Sequence, residues 1–286
     1  MNTSKIAKYL IIHADDAGLC QSENKATIES LRRGIVNSYS IMTTCSGFDE
    51  IAKFAKNNPE FDYGIHLTLT CEWENQRFGP VLPITEVPSL VDEYGHFFKT
   101  REKLKNRASN IDIKKELEAQ INKAYDYGLN PSHIDSHMYS IGITEASFSI
   151  YRNLGIQFGL PVFMNHEVLS IATKESFIKK EDFLIDHFFI GDFEDFKNGT
   201  LLDYYFKVLE GLKPGINILL LHPSFDSEEM REITFNHPNF GSEWRAIDFA
   251  FITSEKAKSK IKENDIQLID WRSVWKRNNP NTNNIF

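Results

Sequence analysis

Short apolar and β-branched runs recur along the chain, separated by stretches whose apolar residues fall at helical spacing. The runs Tyr9–His13, Asn37–Thr43, Tyr63–Leu69, His133–His137, Gly159–Met164, Phe183–Phe189, Ile216–His222 and Gln267–Asp270 read as strands, most of them bounded by Gly, Asn, Asp or Pro. Between them, Ser22–Arg33 places Ile28 and Leu31 on one face and has Gly34 just past its end. Ile113–Tyr127 carries Leu117, Ile121 and Ala124 and stops at Gly128; Thr144–Leu154 stops at Gly155. Leu201–Leu212 runs into the turn Lys213-Pro214-Gly215, and Ser254–Glu263 leads into the last strand. Strands alternating with helices predict parallel β/α units, because a parallel pair needs a crossover long enough to hold a helix. About eight such strands suit a closed barrel better than an open doubly wound sheet.

The chain has 286 residues, close to the roughly 250 of one α/β barrel. No composition shift or Ser/Gly linker divides it, so we expect one catalytic domain over 1–286. The segment from about 70 to 110 breaks the spacing. It holds Trp73, Arg77, Pro80, Pro83, Pro88 and Gly95 and reads as a long active-site loop with short pieces of structure. The Asn-rich tail, about 278–286, is expected to fray. With 22 Phe, 10 Tyr and 4 Trp the chain fills a large core, which excludes disorder as its main state. A net charge of −8 without a basic run argues against nucleic-acid partners. No stretch approaches the roughly 20 apolar residues of a membrane span, and the run Tyr9–Ile12 is too short for a signal-peptide core. The expected location is the cytoplasm, where Cys20, Cys45 and Cys71, odd in number and without a CxxC pair, stay free thiols. Exposed barrel helices suit a homodimer.

In such barrels chemistry sits at the C-terminal ends of the strands. Four of these ends carry His or Asp: His13-Ala14-Asp15-Asp16, the third strand with His66, His133-Ile134-Asp135-Ser136-His137, and His222-Pro223. Alternation places His133, Asp135 and His137 on one face of their strand. Two adjacent carboxylates in one pocket repel unless their roles differ. A cation bound by one of them, with the other free as a base, resolves this. Asp16, His66 and His137 make a natural ligand set, one carboxylate and two imidazoles, that suits Zn, Fe, Co or Ni and leaves positions open. P-loop, dinucleotide-binding, HExxH and GxSxG motifs are absent from the sequence.

The segments HADDAGLCQSENKAT, GIVNSYSIMTTC, GIHLTLTCEWENQRFGPV, SLVDEYGHFF and PSHIDSHMYS, followed by LLLHPSFDSEEM and GSEWRAIDFAF, resemble the YdjC-type carbohydrate deacetylases, within the broader polysaccharide deacetylases. The likeness runs in order over nearly the whole chain and is weakest from about Ile156 to Gly211. It implies a distorted β/α barrel, a single divalent metal ion (Mg2+ or Zn2+) held by Asp16, His66 and His137, and hydrolysis of an N-acetyl group from an amino sugar or oligosaccharide. By the same likeness Asp15 corresponds to the general base and His222 to the acid. Two positions depart from the family pattern: Ala17 stands where Phe or Leu is frequent, and Tyr139 where many members carry a second His.

On this reading Asp15 takes a proton from the attacking water and His222 protonates the departing amine. Arg245 and Asp248 orient the site, Trp73 stacks on a sugar ring from the long loop, and Asp135 and Tyr139 join Arg245 as further substrate contacts. Three other functions fit the same residues. A metal-free glycosidase would use Asp15 and Asp135 as its carboxyl pair. A metal-dependent phosphoesterase would share the ligand set, and a sugar-binding module would use the barrel without chemistry.

Overall fold

The computed structural model describes residues 7–173, 177–179, 182 and 184–278. In chain order the strands and helices are β1 (Lys8–Ala17), α1 (Gln21–Arg33), β2 (Ser38–Ile41), α2 (Phe48–Asn57), β3 (Tyr63–Leu67), α3 (Arg101–Arg107), α4 (Asn110–Asp126), β4 (Ile134–Ser136), α5 (Glu145–Phe158), α6 (His166–Thr173), β5 (His187–Phe189), α7 (Phe193–Lys197), α8 (Leu201–Gly211), β6 (Gly215–Leu221), α9 (Glu228–Ile233), α10 (Ser242–Thr253), α11 (Glu255–Glu263), β7 (Ile266–Leu268) and α12 (Trp271–Asn278). Helix starts follow their capping residues. Ser109 accepts from the Asp112 N–H at the head of α4, and Thr144 and Ser147 close a reciprocal capping box at the head of α5.

The strands form one parallel curled sheet in the order β4-β3-β2-β1-β6-β5, with β7 beside β1. At ten residues, β1 is long enough to take three partners. β6 runs along one edge from Lys8 to Ala14. The other edge is shared, with β7 against Lys8–Leu10 and β2 against His13–Ala17. Beyond β4 the sheet thins to a bridge between Ile134 and Val162, made by the Ile134 N–H to Pro161 O at 3.0 Å and the Phe163 N–H to Ile134 O at 2.9 Å. The Ile185 N–H then bonds Met164 O at 3.1 Å, just before β5 begins, so the ring closes through isolated hydrogen bonds where a full strand ladder would otherwise run. The result is a distorted (β/α) barrel. The strand expected over Gly159–Met164 is reduced to that bridge, because Pro161 has no N–H to donate. Of the strand expected over Phe183–Phe189, β5 keeps the last three residues and Phe183 lies outside the described residues.

Side chains two apart on each strand share a face, and this decides where the chemistry lies. Leu10, Ile12 and Ala14 of β1 pack outward into the main core with the helices. Ile11 instead joins Phe163, Phe188, Ile218, Leu220, Trp271 and Val274 in a second cluster inside the barrel. Continuing along that inner face, His13 and Asp15 follow Ile11. The inner wall is therefore apolar on β5, β6 and the start of β1, and polar on the end of β1 and on β2 to β4, where His13, Asp15, Ser38, Ser40, His66 and Asp135 sit. Gly64 on β3 is required there: a Cβ at this position would lie 2.5 Å from the His133 ring.

The segment from 70 to 110 is tied down by buried Trp73, Phe78, Val87, Leu90, Phe97 and Leu104 and by bridges Thr70–Phe98 and Val91–Phe97. Glu116 of α4 accepts the Val81 and Leu82 N–H groups, replacing a strand ladder. The three cysteines are free and buried. No described helix is long and apolar enough to cross a membrane. The tail expected to fray lies outside the described residues beyond Asn278.

Candidate metal centre and active site

The pairing of β1 with β2 shifts register between Ala14 and Ala17, and Asp16 sits in the left-handed region at φ 65°. This irregularity turns Asp16 toward the barrel mouth beside Asp15, where a regular strand would send the two to opposite faces. His66 comes from β3, His137 follows β4 directly, and His222 follows β6 directly. All five reach one cavity of about 300 Å³ at the C-terminal ends of the strands. Its wall also includes Glu72, Arg101, Tyr139, Phe188, His237 and Phe240.

Asp16 Oδ1 lies 3.3 Å from His66 Nε2 and 3.1 Å from His137 Nδ1. The ligand atoms of these three buried residues all lie within 4.8 Å of one another, a spacing that suits one cation. The donor chemistry fits as well, since each imidazole has its remote nitrogen on a carboxylate. His66 Nδ1 meets Asp135 Oδ1 at 2.8 Å, and His137 Nε2 meets Glu72 Oε2 at 2.9 Å. Such contacts fix ring orientation and leave the other nitrogen's lone pair toward the shared point.

Charge is balanced closely here. Burial works against ionisation of Asp16, but the Arg245 guanidinium and then His137 hold its carboxyl well below the usual range. Burial likewise opposes a charge on His137, yet Glu72 and Asp16 push it up to about 9. His66 is raised well above its ordinary value by Asp135 and Asp15, against the effect of burial. Glu72 goes the other way: burial would raise it and His137 draws it down. His222 is pushed down to about 4, chiefly by burial, so its imidazole is neutral near pH 7. Its Nε2 lies 3.8 Å from Asp15 Oδ2 and its Nδ1 is buried without a hydrogen bond.

A profile of the family described as YdjC-like protein matches residues 9–263. The chain belongs to the YdjC-like family. Among its relatives, the carbohydrate deacetylase of Geobacillus stearothermophilus is 27% identical over 270 residues, covering 94% of this chain and 99% of that one. That of Thermoanaerobacter pseudethanolicus is 27% identical over 264 residues, covering 92% and 98%. A crystal structure of a protein from Enterococcus faecalis V583, provisionally named for cellobiose-phosphate cleavage, superposes with a TM-score of 0.74 at 26% identity, covering 94% of this chain and 99% of that one.

The remaining site residues of this YdjC-like chain divide clearly. Arg245 of α10 donates from Nη2 to Asp16 Oδ2 at 2.7 Å, and Asp248 accepts the His222 backbone N–H at 2.8 Å. Tyr139 lines the cavity with its hydroxyl buried and unpaired, on a backbone that is left-handed at both Met138 and Tyr139. Trp73 does not line it. The ring is fully buried, packed against His237 at 5.0 Å and under the Arg245 guanidinium at 5.6 Å, so sugar stacking there is corrected to a core role. Asp135 is also corrected. Its oxygens face His66 and His13, and it contacts no open part of the cavity. Both Asp15 and Asp135 lie close to the same nitrogen, His13 Nε2, at 3.2 and 3.0 Å, so they do not flank a glycosidic bond. Glu72, Ser40 and His13 were not assigned roles from sequence. Glu72 follows the His-Leu-Thr-Leu-Thr run closely, but nothing local marks it as the partner of His137.

Proposed function

We propose that this protein is a metal-dependent carbohydrate N-deacetylase, hydrolysing the acetamide of an N-acetylated amino sugar or oligosaccharide. The observation that carries the reading is the meeting of Asp16, His66 and His137 at one point in a cavity that Asp15 and His222 also line. The naming of relatives as carbohydrate deacetylases supports the same substrate class.

Asp16, His66 and His137 would hold a divalent cation, Mg2+ or Zn2+. When bound, such an ion supplies a Lewis acid for a carbonyl and lowers the pKa of a coordinated water from about 16 to about 7. Asp15 accepts the proton of the attacking water. It is suited to this because His13 and Ser40 hold its Oδ1, while Oδ2 faces the cavity and His222. His222 delivers a proton to the departing nitrogen, so that a neutral amine leaves. Its depressed pKa makes the imidazolium a ready donor, and Asp15, 3.8 Å away, is the source from which it is recharged. Tyr139, Arg101 and His237 form the wall that the sugar meets.

The test is acetate release from N-acetylated mono- and oligosaccharides, with and without a chelator, alongside phosphate release from sugar phosphates. Acetate release that chelator abolishes and added cation restores supports the reading. Phosphate release without acetate, or activity indifferent to chelator, overturns it.

A further inference from the structure

His13 lies one layer below the site, fully inside the barrel, and the hydrogen bonds around it determine its charge. Ser38 Oγ donates to Asp62 Oδ2 at 2.6 Å, so it has no hydrogen left for His13 and must accept from His13 Nδ1 at 3.1 Å. The other nitrogen, Nε2, faces Asp135 Oδ2 at 3.0 Å and Asp15 Oδ1 at 3.2 Å. Carboxylates only accept, so Nε2 also carries hydrogen. With both nitrogens protonated, His13 is an imidazolium between two buried carboxylates.

Those carboxylates serve different parts of the chemistry. Asp135 uses its other oxygen to fix His66 Nδ1 at 2.8 Å, which leaves His66 Nε2 directed at the metal point. Asp15 is the base. Ser40 closes the circuit, donating to Asp15 Oδ1 at 3.3 Å and lying 3.0 Å from His66 Nδ1. Without His13, Asp15 Oδ1 keeps the Ser40 hydroxyl as its hydrogen-bond donor, and Asp135 Oδ2 loses its nearest donor. A carboxylate freed in this way can rotate, which would turn Asp15 Oδ2 from the cavity and Asp135 Oδ1 from His66 Nδ1.

We propose that His13 is a positioning residue that couples the two halves of the site: one buried imidazolium keeps Asp15 aimed at the cavity and keeps Asp135 locked on the ligand His66. The part played by Asp15 rests on the deacetylase reading; the part played through His66 does not. Neither Asp15 nor His13 belongs to the proposed ligand set of Asp16, His66 and His137, so the coupling acts through hydrogen bonds.

The experiment compares wild type, His13→Leu and His13→Asn, each first shown to be folded by circular dichroism and thermal melting. Co2+ is titrated into the metal-free proteins, read by calorimetry and by the visible absorption band of the bound ion. Acetate release is measured in parallel for kcat and KM. His13→Leu should weaken Co2+ binding by about 10- to 100-fold and shift the band, and should lower kcat with KM little changed. His13→Asn, which keeps an N–H donor for one carboxylate, should recover part of both. A folded His13→Leu with wild-type Co2+ affinity, band and kcat overturns the proposal. Should His13→Leu fail to fold, His13→Asn and Asp135→Asn decide by the same measurements: unchanged Co2+ affinity in both overturns it. A wild type that releases no acetate, with Co2+ binding still dependent on His13, removes the deacetylase reading and leaves the coupling standing.

Discussion

Arg245 Nη2 lies 2.7 Å from Asp16 Oδ2, which leaves Oδ1 of the same carboxylate to face His66 and His137. The second arm of the guanidinium, Nη1, reaches Glu23 Oε2 at 3.0 Å, and Nε donates to Phe240 O at 2.7 Å. Arg245 is thus a buried tether from α10 that fixes which oxygen of Asp16 is offered to a cation. Its replacement by Met strips buried Glu23 of its ion-pair partner and Asp16 Oδ2 of its own, a loss of about 3–5 kcal/mol. We expect Arg245→Met to lower the urea midpoint sharply, and a saturating divalent cation to recover part of the loss by binding only the folded state. Urea titrations with and without the cation check both statements.

The two neighbouring aspartates should separate cleanly. Asp16→Asn removes the charged member of the proposed ligand set and is expected to lose metal and turnover together. Asp15→Asn leaves the three-residue ligand set in place, so metal content should stay near wild type while kcat falls by about 10²- to 10⁴-fold. Metal analysis of the purified variants, set beside acetate release, checks this. Near-normal turnover in Asp15→Asn would end its role as base.

Much of this was readable in advance, and the failures have physical causes. The alternation of strands and helices predicts the barrel, and Asp15, Asp16, His66, His137 and His222 fall on strand ends whose positions the hydrophobic runs mark well. Trp73 misled because an aromatic in a long loop reads as exposed, whereas this loop carries its own core of Phe78, Val87, Leu90 and Phe97. Asp135 misled because alternation gives a face but not a depth; it points inward, one layer below the cavity. Glu72 and His13 were unassigned for a related reason, since each acts on a residue more than 60 positions away in sequence, His137 and Asp135 respectively. Helices α2 and α10 were overlooked. Phe48, Ile51, Ala52 and Ala55 make an apolar face for α2, and in α10 Arg245 and Asp248 occupy adjacent turns of the same face.

The floor of the barrel sets a packing limit. His133 stacks on Trp271 at 4.7 Å between ring centres, and its Nδ1 is held by Ser132 Oγ at 2.8 Å. Gly64 provides the space for that ring, since an added methyl would meet His133 Nε2 at 2.5 Å. Gly64→Ala should therefore destabilise by about 1–3 kcal/mol through overpacking. A second substitution that shrinks the ring, His133→Ala, should relieve the part due to the clash. A double-mutant cycle on urea midpoints checks this, and strict additivity of the two changes would contradict it.

Asp248 gives the protein a pH dependence whose sign follows from its surroundings. Burial raises its carboxyl from 3.8 to about 7, more than the Tyr205 hydroxyl at 2.5 Å, the His222 N–H and Arg245 pull it down. The folded state therefore keeps a proton that the unfolded chain releases near pH 4. Between these values the native state binds more protons, so stability falls as pH rises from about 4 through about 7 and levels off above. The span corresponds to roughly 4 kcal/mol as an upper bound. Asp248→Asn removes the titration, although it also costs one acceptor shared by Tyr205 and His222. Its absolute stability should be lower at pH 5, and the gap to wild type should narrow by pH 8. Urea unfolding of both proteins at pH 5, 6, 7 and 8 measures that gap directly, and a gap independent of pH would show that Asp248 is ionised throughout the range.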